Sequence, residues 1–87
     1  MKSYNLIVST PDGNVFEAQA SMLTLRGSEG ELAILAGHIP FITAVKPCEC
    51  VIVLPDDSEK TAQIGGGILT VTNEKTTLLS SSFSWKE

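Results

Sequence analysis

Apolar and polar residues alternate with a period of two along most of this chain, the pattern of half-buried strands. Tyr4, Leu6 and Val8 fall on one face of a first strand, with Asn5, Ile7 and Ser9 on the other. Thr10-Pro11-Asp12-Gly13-Asn14 reads as a turn, because proline presets one backbone angle and glycine accepts a positive one. Val15 to Gln19 forms a second strand. Ala20 to Arg26 forms a third, in which Met22 and Thr24 alternate against Leu23 and Leu25. Further strands are expected at Glu31 to Leu35, Phe41 to Val45, Cys50 to Leu54, Lys60 to Ile64, Ile68 to Thr72 and Lys75 to Ser80. Pro55-Asp56-Asp57-Ser58 and Asn73-Glu74 supply polar turns between them. The tail, Ser80 to Glu87, carries a last short strand with Phe83 and Trp85 on one face. No window of helical length is both helix-periodic and free of Gly or Pro, so the chain reads as all-β, with the strand spacing of a sandwich or barrel.

One segment breaks the alternation. From Gly27 to Phe41 the chain sets three glycines, two acids, the only histidine and a run of aliphatic residues side by side. Pro40 removes a backbone donor and pushes Ile39 toward an extended conformation. Apolar residues in such a stretch either plug the domain's own core or meet another protein.

At 87 residues the chain is one small domain, spanning 1–87. Hydrophobic content of 43% against 18% charged residues belongs to a globular chain rather than a disordered one. A net charge of -4, with the basic residues spread singly, argues against nucleic acid and against direct insertion into anionic lipid. No apolar run reaches the roughly 20 residues that span a bilayer. Met1 to Leu6 lacks the apolar region of a signal peptide, so a cytosolic compartment is expected.

Candidate chemistry is sparse. Cys48 and Cys50 form a CxC pair, read in preference as two reduced, buried thiols rather than as half of a metal site. Gly65-Gly66-Gly67 lacks the Lys and Ser/Thr of a phosphate-binding loop and leads into a strand. A bulge or a close backbone crossing is the preferred reading. Glu29 and Glu31 are exposed loop acids, serving either a basic partner or solubility. His38 is a candidate pH sensor, ligand or turn-capping donor, or an ordinary loop residue. No catalytic residues, metal or cofactor are assigned.

Four blocks then occur in order. Thr10-Pro11-Asp12-Gly13 is followed by Val15-Phe16. Gly27-Ser28-Glu29-Gly30-Glu31-Leu32 runs on to Gly37-His38-Ile39-Pro40. Thr43-Ala44-Val45-Lys46-Pro47 and Gly66-Gly67-Ile68-Leu69-Thr70-Val71 complete the set. Together they resemble the N-terminal β-domain of the epsilon subunit of F-type ATP synthase, over nearly the whole chain. The sequence departs from the common pattern at Ala33, Ala36 and Cys48, where glycine, proline and glycine are usual.

The resemblance implies a flattened ten-stranded β-sandwich of two antiparallel sheets. It also implies a non-catalytic rotor subunit of the central stalk, which couples proton transport to ATP synthesis and is not itself an enzyme. Its implied partners are the gamma subunit and the c-ring, and it is expected to be a monomer when isolated. By resemblance, Thr10, His38, Ile39, Phe41, Ile42 and Thr43 face gamma, and Glu29, Gly30 and Glu31 face the c-ring. The implied location is peripheral, on the cytoplasmic face of the bacterial plasma membrane. Most relatives continue into a C-terminal helical hairpin. The 87 residues stop near the sandwich boundary, so inhibition by that hairpin is not expected of them. The alternative is a stand-alone β-sandwich interaction module with a different partner.

Overall fold

A computed structural model describes residues 2–27, 30–37 and 39–86. Ten strands follow one another in the order read from the alternation: β1 (Tyr4–Thr10), β2 (Gly13–Ala20), β3 (Met22–Gly27), β4 (Gly30–Leu35), β5 (Phe41–Val45), β6 (Cys48–Val53), β7 (Glu59–Ile64), β8 (Gly67–Val71), β9 (Lys75–Ser80) and β10 (Phe83–Trp85). The expected all-β sandwich is present. Its layers are joined rather than separate: hydrogen bonding runs in one path, β10-β7-β6-β3-β5-β8-β9-β1-β2, with β4 beside β3. The corner is β3, which pairs with β6 through Met22 to Thr24 and meets β5 only at Gly27↔Val45. One pair departs from the expected antiparallel arrangement, since β1 and β9 run parallel.

The core is the inward half of each alternation. Leu6, Val8, Leu23, Ile34, Cys50, Ile52, Ile64, Leu69 and Leu78 are essentially inaccessible to water. Phe16, Phe41, Cys48 and Phe83 pack around them, half-buried. The open side between β2 and β10 is closed by aromatic rings rather than by a ladder. Trp85 stands edge-on to Phe16 at 6.0 Å and to Phe83 at 4.7 Å. The Lys60 ammonium lies 5.3 Å from the Trp85 ring centre, within cation–π range.

Turn chemistry fixes the strand ends. The Thr10 hydroxyl accepts from the Asp12 amide at 3.2 Å, and Gly13 adopts φ 121°. At the Asp56 turn, the Ser58 hydroxyl and amide bond to the carboxylate and hold it below the usual carboxylate range. The Gly65-Gly66-Gly67 run is a close backbone crossing, as the sequence suggests. A Cβ on Gly67 would sit 1.8 Å from the Leu79 carbonyl oxygen, and one on Gly66 (φ 91°) 2.9 Å from that of Val45.

Tyr4 ties β1 to β4. Its hydroxyl donates to the Ile34 carbonyl at 2.7 Å, and burial pushes the phenol's pKa upward. The neutral phenol is therefore the favoured form in the fold. This contribution is complete below the unfolded pKa of about 10 and is lost as pH rises above it. Tyr4→Phe is expected to cost about 1 kcal/mol at neutral pH. It should also make the alkaline loss of stability shallower, as denaturant melts at pH 7 and pH 11 will read out.

Candidate protein-docking surfaces

The two outer faces of the sandwich differ in chemistry, and the registers say which residues meet on each. On the layer formed by β5, β8, β9, β1 and β2, one outward row runs Ala44–Ile68–Leu79–Ser9. The adjacent row runs Ile42–Thr70–Thr77–Ile7 and reaches its first charge at Glu17 on β2. Ile42 is 68% exposed, Leu79 50% and Ile68 46%. Aliphatic and hydroxyl side chains thus fill these two rows from β5 to β1 without a charge among them, while Lys75, exposed and paired with Asn5, stands in the next row of the same face. A pair such as Ile68/Leu69 or Leu78/Leu79 has to divide between the two sides of a strand, so one aliphatic of each pair faces water.

The other layer presents Glu31, Arg26 and Glu49 near one end, with Glu59 further along. Glu31 is the cross-strand partner of Arg26. Together with Pro47, Cys48 and Glu49 they line a surface cavity of about 390 Å³. Lys86 pairs with Glu49 on the same face.

The sequence-nominated residues divide as follows. Ile42 lies in one of the two charge-free rows, and Ile39, 77% exposed, just precedes β5. Phe41 and Thr43 alternate with Ile42, so they turn inward and are half-buried, Phe41 against the core. Thr10 sits at the far end of β1, where its hydroxyl is engaged by the β1–β2 turn. Gly30, at φ 130°, and Glu31 are exposed at that same end, at the β3–β4 connection. His38 and Glu29 lie outside the described residues. Ile68, Leu79 and Ala44 were not among the nominated residues. The doubled aliphatics Ile68-Leu69 and Leu78-Leu79 were the signal that could have found the first two.

Cys48 and Cys50 are free thiols on β6. Cys50 is buried, and its pKa is pushed up to about 11, first by burial and then by Cys48 beside it. The half-buried Cys48 accepts a hydrogen bond from the Arg26 amide at 3.3 Å. Among the described residues no group of three or more His, Cys, Asp or Glu side chains is gathered for a metal ion. With a chromogenic disulfide reagent at pH 8, one thiol per folded chain is expected to react promptly. The second, Cys50, should react only on denaturation, so two prompt thiols would contradict its burial.

Comparison with known proteins adds a separate line. The family model described as the ATP synthase delta/epsilon chain β-sandwich domain matches residues 3–86. An ATP synthase epsilon chain of Psychrobacter sp. (strain PRwf-1) is 43% identical over 65 residues, which are 75% of this chain and 47% of that one. The epsilon chain of Bacillus pumilus (strain SAFR-032) is 35% identical over 79 residues, 91% of this chain and 60% of the relative. The chain therefore spans about half the length of these relatives. Among solved structures, a chain of the Euglena gracilis mitochondrial ATP synthase OSCP/F1/c-ring assembly superposes with TM-score 0.90 at 19% identity, over 95% of this chain and 53% of that chain. A chain of the Tetrahymena thermophila mitochondrial ATP synthase central stalk/c-ring gives 0.75 at 14% identity, over 94% and 66%. At these identities the likeness is one of fold.

Proposed function

Because the chain belongs to the β-sandwich family of ATP synthase delta and epsilon chains, we propose that it is a non-catalytic rotor subunit of an F-type ATP synthase. Its role is to link the gamma subunit to the c-ring at the cytoplasmic face of the membrane, so that ion flow through the ring is coupled to ATP synthesis. The observation that carries this reading is the pair of charge-free outward rows that hold Ile42, Ile68 and Leu79. A water-soluble domain that keeps these aliphatics exposed has a use for them, and burial against a neighbour is the stabilising outcome.

The gamma subunit is placed on that face, where β-branched and aliphatic side chains stand on a rigid sheet. The β3–β4 end is assigned to the polar loops of the c-ring, with Gly30 shaping the turn and Glu31 offering a negative charge to a cationic partner. Two docking surfaces on one stiff body suit a part that passes torque between neighbours. Hydrogen-bonded strands link the two surfaces, so little of the imposed motion is lost to internal hinge motion.

Recombinant gamma mixed with this chain should give a 1:1 complex on gel filtration, with an interface of at least about 1,000 Å². Failure to associate, with the chain shown folded by its amide spectrum, rejects the rotor reading. It would leave a stand-alone interaction module as the description to pursue.

A further inference from the structure

Among the described residues, the sheet has a free edge at β4 that no strand covers, although the Tyr4 hydroxyl reaches the Ile34 carbonyl. β4 is a six-residue strand paired with β3, and among the described strands no other lies beside it. Its register is unbroken from Met22↔Leu35 to Gly27↔Gly30. With two residues between them, Gly27 and Gly30 form a hydrogen-bonded pair, so ladder parity turns the backbone groups of Leu32 and Ile34 toward β3. Those of Glu31, Ala33 and Leu35 then point to the open side. The far side of β3 agrees with this parity. The Arg26 carbonyl accepts from the Lys46 amide at 2.9 Å and the Arg26 amide donates to Cys48 Sγ, both away from β4.

Edge strands are ordinarily blunted by shortness, bulges, proline or lysine. The other two edges follow that rule. β10 has three residues, and the β1–β2 pairing carries a register shift at Val8/Ser9. β4 has no proline, lysine or bulge, and it exposes Glu31, Ala33 and Leu35.

We propose that the free edge of β4 takes up an extended, basic segment of another polypeptide as an added antiparallel strand. Backbone pairing with Glu31, Ala33 and Leu35 supplies the affinity, and the side chains set the choice. Leu35, 49% exposed, asks for an apolar residue opposite it. Ala33 leaves room for a β-branched one. Glu31 is exposed and forms no ion pair among the described residues, in a chain of net charge -4, so a lysine or arginine belongs opposite it. A second copy of the chain fits worse. Two β4 edges paired about Ala33 would set each Glu31 against a Leu35 and bring like-charged domains together. This proposal does not depend on the rotor reading.

The test uses the 87-residue chain and the peptide Thr-Val-Thr-Val-Thr-Lys-Thr, with amide exchange followed by NMR. In the free chain, the amides of Glu31, Ala33 and Leu35 should exchange at least about a hundredfold faster than those of Leu32 and Ile34. Saturating peptide should slow the three by about tenfold or more. Ala33→Pro removes one open-side N–H and leaves the β3 ladder untouched; it should keep Leu32 and Ile34 protected and abolish the response. Glu31→Lys, which does not depend on the proline variant folding, should weaken this peptide about threefold and favour one with Glu in place of Lys. Protection of the three amides in the free chain, no change with peptide, or charge-blind binding by Glu31→Lys each overturns the proposal.

Discussion

Replacing Gly67 by alanine is expected to abolish cooperative folding. The new methyl would stand 1.8 Å from the Leu79 carbonyl oxygen and 2.8 Å from its carbon, both backbone atoms of the neighbouring strand. No rotamer change relieves that contact. β8 and β9 would have to separate, and Gly67 is the residue at which β8 pairs with both Val45 of β5 and Ser80 of β9. Opening that ladder exposes Leu69 and Leu78, two of the most buried side chains. The cost is put at more than about 3 kcal/mol, at or beyond the upper end for overpacking. For a domain of this size, that is a large part of all available stability. Thermal and denaturant melts of Gly67→Ala should show no native baseline at 37 °C. Ile68→Ser, one position along and facing water, should stay within about 0.5 kcal/mol of the parent chain. A Gly67→Ala protein that melts like the parent would mean that β8 and β9 do not approach as described.

The close approach at Gly67 shows what kind of information the sequence carries. The succession of strands and the division of residues between two faces were legible because period-2 alternation is a direct consequence of the pleat, and because the turns carry Pro, Gly and Asp at informative positions. Tyr4-Leu6-Val8 read as one face of β1 and Leu23 with Leu25 as one face of β3, and the structure turns those faces inward, Tyr4 partly covered and the rest buried. Boundaries were less legible. β6 begins at Cys48 rather than Cys50, since Pro47 is the break and the cysteines pair normally with β7. The parallel β1–β9 pair was not legible at all, because it joins residues about seventy positions apart and no local signal encodes it.

The candidate docking residues were legible only in part, for a related reason. Ile39 stood out beside Pro40 in the segment that broke the alternation, and Ile42 followed from the family resemblance. Phe41 and Thr43 were nominated with them, although a strand from Phe41 to Val45 already requires every second residue to turn inward. Ile68 and Leu79 were hidden for the opposite reason. Each stands next to a core leucine, so by hydrophobicity alone the two cannot be told apart. Only the registers Ala44↔Ile68 and Ile68↔Leu79 bring them into one surface.

That surface leads to the second large effect. Ile42→Glu is expected to weaken association with the gamma subunit by about thirtyfold or more, while leaving the domain folded. Ile42 is 68% exposed, so a carboxylate there remains solvated in the free chain and costs the fold little. In the proposed complex the same carboxylate would be buried among the aliphatic groups from Ala44 through Ile68 to Leu79, with no cation in either of these two rows to pair with it. Leu79→Glu, across β8 on the same face, should act in the same direction, which separates a shared docking face from a contact peculiar to β5. Calorimetric titration of each variant into gamma, with a melt of each variant alone, reads both halves of the expectation. A variant that unfolds would show that its side chain contributes to the core. Folded variants that bind as tightly as the parent chain would mean that gamma docks elsewhere. If Leu79→Glu alone has no effect, the interface stops at β5 and β8, and the remaining aliphatics on β9 and β1 need a different occupant.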